Sequence, residues 1–412
     1  MSKKQAHDDY FKKLSAALKE QGLLRPTLVI DEARLEKNTE TMLSHLPDGM
    51  GCRIVVKSLP SIPLIRKVMD MAGTTRLMVF DLPFLNDIAR DIPEADVLFG
   101  KPMPVALADR FYEEFKGGDF TPSQQVQWLI DTPERLREYA KLAEQHDLRL
   151  KVNIEIDIGL HRGGVSTPEQ LKEMLDEIDA HPRLTFAGLM GYDAHVAKVP
   201  GILRGHALKK SRAIYKEMRE ICEDRYPERK NALTFNTAGS PTYQLHEDLK
   251  AGTEVAVGSG LVKPLDFDVA TLKDHVPACF IATPVLKVEQ KTKIPGMEGL
   301  SGLSAIFNPK SARAFFIYGG NWQAEPVSPP GLRQNKLYGR SSNEEMLNGP
   351  RKMDLNVDDL VFLRPTQSEA VFLQFGDIAV YKDGKITQFW PVIEQEHKKL
   401  LPGEKPKQQP QP

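Results

Sequence analysis

Alternating β-branched runs and charged amphipathic stretches predict an α/β protein, in which a (β/α)8 TIM barrel precedes a mainly β C-terminal domain. Two observations carry the barrel. The alternation persists from residue 26 to about residue 265, and eight of its apolar runs fall between residues 53 and 257. A third observation carries the second domain: after about residue 270 the runs shorten and are split by Gly, Pro and Asp-Gly.

Taken in order, residues 8–22 read as a short amphipathic helix, with Tyr10, Phe11, Leu14, Leu18 and Leu23 at helical spacing and Gly22 as its stop. Residues 1–25 are therefore an N-terminal helical arm. The first extended run is Thr27 to Asp31. The next eight begin at Arg53, Arg76, Asp96, Val126, Leu150, Phe186, Leu233 and Glu254. Thr132-Pro133 and Thr167-Pro168 open two of the intervening helices, with a capping hydroxyl followed by proline. A barrel of about 250 residues accommodates such units, giving a barrel domain over 26–265. A doubly wound open sheet is built from similar units, but no GxGxxG follows the first strand.

Strand-like runs resume at Phe280–Leu286, Ala314–Tyr318, Asp359–Leu363, Val371–Leu373, Ile378–Tyr381 and Ile386–Trp390, defining a β domain over 266–400. Asp383-Gly384 reads as a hairpin turn. Asn321 to Arg351, rich in Pro, Gly, Ser and Asn, reads as a long loop, and residues 401–412 as a disordered tail.

With 55 Lys and Arg against 56 Asp and Glu, the net charge of −1 disfavours nucleic acid or an anionic membrane as partner. No apolar run approaches the roughly 20 residues that span a bilayer. The lysines near the N-terminus are not followed by an apolar segment, so no signal peptide is expected and the cytoplasm is the default compartment. Cys52, Cys222 and Cys279 are odd in number and far apart, as buried thiols without chemistry would be.

A barrel builds its active site at the C-terminal ends of its strands. Lys57 lies there, after Arg53-Ile-Val-Val56, where partial desolvation would make its amine a nucleophile toward an aldehyde; taken alone it reads first as a solvated strand-end lysine. Asn153 to Val165 is a strand running into a glycine-rich turn with His161 and Arg162. Glu155 and Asp157 would share one face, with Arg162 as a partner in an ion pair that is either structural or functional. Glycines and hydroxyls recur in Phe235-Asn-Thr-Ala-Gly-Ser-Pro-Thr-Tyr243 and Val257-Gly-Ser-Gly260, after the last two strands, where barrel phosphate sites frequently form.

Together Arg53-x-x-x-Lys57, Asp157-Ile-Gly-Leu-His-Arg-Gly-Gly-Val165, Gly188-Leu-Met-Gly-Tyr-Asp-Ala-His195, Ala238-Gly-Ser-Pro-Thr242 and Gly258-Ser259 resemble the D-threonine aldolase and D-serine dehydratase family of fold type III pyridoxal phosphate enzymes, which share the alanine racemase-like fold. The resemblance covers residues ~26 to 260. It implies that Thr27–Asp31 joins the β domain, that Lys57 holds pyridoxal 5'-phosphate as a Schiff base, and that Arg162 lies against the pyridine nitrogen. It places Tyr192 and His195 beside the cofactor and assigns its phosphate to Gly239, Ser240, Thr242, Gly258 and Ser259.

It also implies a small amino acid substrate and a homodimer. The family binds a divalent metal through a His and a Cys or Asp near the C-terminus. Here Gln367 and Glu369 stand at that stretch, Met346 replaces an upstream His, and Gln is a poor zinc ligand, so no metal residue is assigned. A polar pair facing the cofactor would bind the substrate or move a proton, with Glu369 as a catalytic carboxylate base and Gln367 beside it; the other reading is two surface polar groups on a turn.

The expected activity is a lyase cleaving or dehydrating a D-configured 3-hydroxy amino acid. The alternatives are a metal-independent amino acid racemase or epimerase, and a non-catalytic pyridoxal phosphate carrier.

Overall fold

The structure, a computed structural model, describes residues 5–290, 312–335 and 338–394. The expected tail at 401–412 lies outside the described residues. After β1 (Thr27–Asp31), eight parallel strands close a barrel: β2 (Gly51–Val55), β3 (Arg76–Val79), β4 (Asp96–Phe99), β5 (Val126–Ile130), β6 (Leu150–Glu155), β7 (Leu184–Met190), β8 (Thr234–Thr237) and β9 (Glu254–Val257). Closure is made by β9 against β2, with Ile54 opposite Val257. The helices between them start where hydroxyl caps predict: Thr132 accepts from the Arg135 N–H, and Thr167 forms a reciprocal capping box with Gln170.

The second domain is a sheet of β1 with β10 (Cys279–Glu289), β11 (Arg313–Tyr318), β12 (Ala324–Ser328), β13 (Arg333–Gln334), β14 (Glu344–Gly349), β15 (Leu360–Pro365), β16 (Ile378–Lys382) and β17 (Lys385–Trp390). β1 runs antiparallel to β10 and parallel to β16, so the chain enters through this sheet before it builds the barrel. Asp383 and Gly384 both take positive φ (49° and 82°) in the two-residue turn joining β16 to β17. Helix α1 (Asp9–Glu20), capped by Asp8, lays Phe11, Leu14 and Leu18 onto Val29, Phe280, Leu360 and Phe362 of the sheet. Each such side chain contributes about 1.5–3 kcal/mol on burial. Among the described residues no helix is long and apolar enough to cross a membrane.

Two expectations for this domain are corrected. The stretch from Asn321 to Arg351 is not a long loop, since it carries β12, β13 and β14. Its polarity is misleading because buried polar groups are paired: Glu345 accepts from the Asn321 N–H and pairs with Arg340, and Asn348 donates to the Arg313 carbonyl. Val371–Leu373 is not a strand, because Phe372–Gln374 forms a short 3-10 turn. All three cysteines are buried and free.

Polar side chains form a layer inside the barrel beneath its C-terminal mouth. Arg53 is fully buried, with Nε and Nη2 donating to Glu254 at 2.7 and 3.1 Å and Nη1 donating to the Leu77 and Asp96 carbonyls at 3.0 and 2.8 Å. Asn236 donates to Glu254 at 2.9 Å, while Gln127 links Asn153, Asp96 and Thr234. Buried charge is tolerated only when paired and hydrogen-bonded, as here.

At the junction of the two domains His275 is 2% exposed, with Nε2 2.7 Å from the Tyr243 hydroxyl and its backbone carbonyl taking the Lys263 ammonium. Burial lowers its pKa from 6.5 to about 4, against the opposing charge of Asp274. The unfolded chain therefore binds the extra proton between those values, and stability declines as pH falls below 6.5, by about 2 kcal/mol at pH 5. The variant His275→Gln is expected to lose this component of acid sensitivity in urea titrations. Parallel stability profiles for variant and wild type from pH 6.5 to 4 would refute the assignment.

Candidate active site

One cavity lies at the C-terminal mouth of the barrel, roofed by Glu369 and Phe267. Lys57 follows β2 in the single turn Val56–Ser58, which aims its side chain across the mouth. Its ammonium rests 4.1 Å from the Phe80 ring centroid and makes no ion pair among the described residues. Burial lowers the Lys57 pKa, and the neighbouring Arg162 and Lys101 lower it further while Glu369 opposes them. The amine is thus neutral, and nucleophilic, at a lower pH than in an exposed lysine.

Across the mouth, Arg162 donates to Glu155 at 3.1 Å and stands 5.4 Å from the Tyr192 ring centroid. The turn that delivers Arg162 is built by Asp157, which accepts the N–H groups of Gly159 and His161 at 2.9 Å each and pairs with the His161 ring. Burial would raise the Asp157 carboxyl, but these contacts hold it below the usual range. Gly164 takes φ +93°, and a Cβ there would stand 2.7 Å from the Glu155 carbonyl oxygen, so the turn admits no side chain at that position. Burial raises Glu155 despite Arg162 and pushes the Tyr192 hydroxyl up to about 12.

The far wall is the pair of turns after β8 and β9. Gly239, Ser240, Gly258 and Ser259 all line the cavity. The Ser240 hydroxyl accepts the N–H groups of Gly258 and Gly260, at 3.1 and 3.0 Å, which ties the two turns together. A Cβ on Gly258 would lie 2.7 Å from the Val55 Cβ, so the turn presses directly on the strand that carries Lys57. Glu369 Oε1 accepts from Ser58 at 2.8 Å and from Ser259 at 3.1 Å, and Oε2 accepts from Ser368 at 3.3 Å.

Of the residues singled out from sequence, Lys57, Arg162, Tyr192, Gly239, Ser240, Gly258, Ser259 and Glu369 converge on this cavity. Of the residues assigned to catalysis or the cofactor, Gln367, His195 and Thr242 do not line it. Gln367 is exposed and donates to Asp266 at 2.8 Å: β15 ends at Pro365 and the chain turns between Gln367 and Glu369, so the shared face that a continued strand would give two alternate residues is lost. His195 opens a short helix and lies 3.3 Å from the Ser211 hydroxyl, facing Gly159. Thr242 is wholly buried behind the Gly239 turn against Asp193.

Sequence reasoning passed over Phe80, Ser58 and Ser368. Phe80 directly follows β3 and Ser58 closes the turn after β2, so both were open to the same strand-end rule that found Lys57; Ser368 is reached only by folding the second domain onto the barrel. Among the described residues no group of three or more His, Cys, Asp or Glu is placed to hold a metal ion.

Comparison with known proteins adds four findings. The family model described as alanine racemase, N-terminal domain, matches residues 30–265. A 3-hydroxy-D-aspartate aldolase of Paracoccus denitrificans is 26% identical over 187 residues, 45% of this chain and 47% of the aldolase. A D-serine dehydratase of Schizosaccharomyces pombe is 29% identical over 161 residues, 37% of this chain and 38% of the dehydratase. The matches thus span less than half the length of these curated relatives. In structure, D-threo-3-hydroxyaspartate dehydratase from Delftia sp. HT23 superimposes with a TM-score of 0.70 at 17% identity, covering 90% of this chain and 98% of that one. The likeness is one of fold.

Proposed function

Because the chain belongs to the alanine racemase N-terminal domain family, we propose that it is a pyridoxal 5'-phosphate-dependent lyase acting on a D-configured 3-hydroxy amino acid. The observation that carries this reading is the desolvated Lys57 amine, without an ion-pair partner among the described residues, facing Arg162 and Glu369 across one cavity. The residues present fit the cofactor. Close packing leaves no room for a side chain at Gly258, and the Ser240 hydroxyl, already accepting two N–H groups, keeps its own proton to donate into the cavity. Lys57 would hold the aldehyde, Arg162 and Tyr192 the ring, and Gly239, Ser240, Gly258 and Ser259 the phosphate. When bound, pyridoxal phosphate supplies an electron sink that weakens the bonds at the amino acid Cα.

The chain's own groups then do the positioning and the proton transfer. The Arg162 guanidinium stays charged and donates hydrogen bonds without giving up its proton. The Glu369 carboxylate, aimed by three serine hydroxyls, would take the proton of the substrate 3-hydroxyl as the Cα–Cβ bond breaks, and Lys57, in its ammonium form, would give a proton to Cα. With Gln367 directed at Asp266, and no group of three or more His, Cys, Asp or Glu placed for a metal among the described residues, no step is assigned to a divalent ion.

The test is a panel of D- and L-configured 3-hydroxy amino acids and serines, run with and without chelator. Aldehyde or ammonia release from D-substrates, unaffected by chelator, is expected. Deuterium entering Cα without product would establish the racemase instead, and inertness toward the whole panel a carrier. Glu369→Gln is expected to lower turnover by about 10²–10⁴-fold while cofactor absorbance remains; unchanged turnover would remove Glu369 from the mechanism.

A further inference from the structure

We propose that Asp193, acting through Thr242, is a positioning residue that sets the affinity of the barrel for the cofactor's phosphate. This rests on the reading given above, because it concerns the turn assigned to that phosphate.

Asp193 is fully buried and follows Tyr192, which lines the cavity. Its Oδ1 accepts the Thr242 hydroxyl and its Oδ2 lies 2.8 Å from His246 Nε2. A carboxylate only accepts, so Nε2 of His246 carries the proton. The Thr242 oxygen, having donated to Asp193, is left to accept the Gly239 N–H at 3.3 Å. Asp193 therefore grips the 239–246 loop at two points, at Thr242 beside the phosphate turn and at His246 at its end.

The grip also fixes the loop against the cavity wall. A Cβ on Gly239 would lie 2.5 Å from the Tyr192 ring, so the turn and the ring are in direct contact and the residue after that ring holds the turn in place. None of Asp193, Thr242 and His246 lines the cavity. Their effect reaches the cofactor only through the placement of Gly239 and Ser240, and a buried network held this rigidly acts on geometry. Loosening it lets the Ser240 hydroxyl drift from the phosphate while leaving Lys57 in place.

That separation provides the test. Binding of pyridoxal phosphate and of pyridoxal, which lacks the phosphate, is titrated by absorbance in the wild-type chain and in Thr242→Val, Thr242→Ser and Asp193→Asn. Thr242→Val and Asp193→Asn are expected to weaken pyridoxal phosphate at least tenfold and pyridoxal less than threefold, with Thr242→Ser restoring wild-type affinity. Equal weakening of both ligands, or unchanged phosphate affinity, overturns the assignment. Should Thr242→Val not fold, Asp193→Asn with Thr242→Ser carries the same comparison. If wild-type protein binds no pyridoxal phosphate, the functional reading fails and this inference with it; if wild type binds and the variants match it, the inference alone fails.

Discussion

Replacing Lys57 with Ala is expected to abolish the visible absorbance of the lysine-bound cofactor and to lower turnover by at least about 10⁴-fold, because the proposed reaction asks one side chain for both the covalent attachment and a proton transfer. Pyridoxal phosphate could still enter through the Gly239, Ser240, Gly258 and Ser259 wall, so the variant should retain phosphate-dependent binding. The wild-type amine adds a pH signature. Only neutral Lys57 attacks an aldehyde, and burial lowers its pKa, with Arg162 and Lys101 adding to the effect. The rate of cofactor capture should thus rise with pH and level off at a lower pH than an exposed lysine would show. A Lys57→Ala protein with the wild-type spectrum would exclude this residue.

The largest expected effect on stability comes from Arg53. Truncation to Ala would take from the Glu254 carboxylate, 2% exposed, its one fully buried cation, leaving it Asn236 at 2.9 Å and the half-exposed Arg76 at 3.4 Å, and would remove the Arg53 donor from the Leu77 and Asp96 carbonyls inside the barrel. Breaking a buried pair by removing one partner costs about 3–5 kcal/mol. Burial by itself would disfavour the Arg53 charge, but Glu254 and Asp96 keep the guanidinium ionised. The double variant Arg53→Met with Glu254→Gln should recover part of the loss, since neither charge is then stranded. Urea midpoints for the two single variants and the double one check this. A double variant as unstable as the sum of the singles would mean that the pair is not coupled. Arg53 also lies at the base of the strand that presents Lys57, so the single variant should lose activity beyond its loss of folded protein.

Arg53 marks where reading the chain reaches its limit. Within the motif Arg53-x-x-x-Lys57 nothing distinguishes a surface charge from the central cation of a closed barrel. Its partners lie on β3, β4 and β9, up to 201 positions away. Local patterning served well wherever the deciding force is local. The eight strand runs, the Thr132 and Thr167 helix starts and the Asp383-Gly384 turn all follow from residue period, capping and backbone preference within a few positions. Local patterning failed at β14, where Glu345 and Asn348 look like loop residues because the groups that satisfy them belong to other segments.

The cavity divides in the same way. Lys57, Ser240 and Ser259 were legible because a barrel assigns its strand ends to one face, so position along the chain nearly fixes position in space. The rest depended on side-chain direction. Of two residues with one between them, Glu369 turns into the serines around Lys57 and Gln367 turns out to Asp266. Thr242 faces the buried Asp193 and His195 faces Ser211, although both lie in motifs that border the cavity. Sequence therefore settled the order of strands and the family, which rest on periodicity and short motifs. Which polar groups face the cavity was settled by packing, because a buried donor or acceptor points toward whatever partner the folded chain brings within about 3 Å.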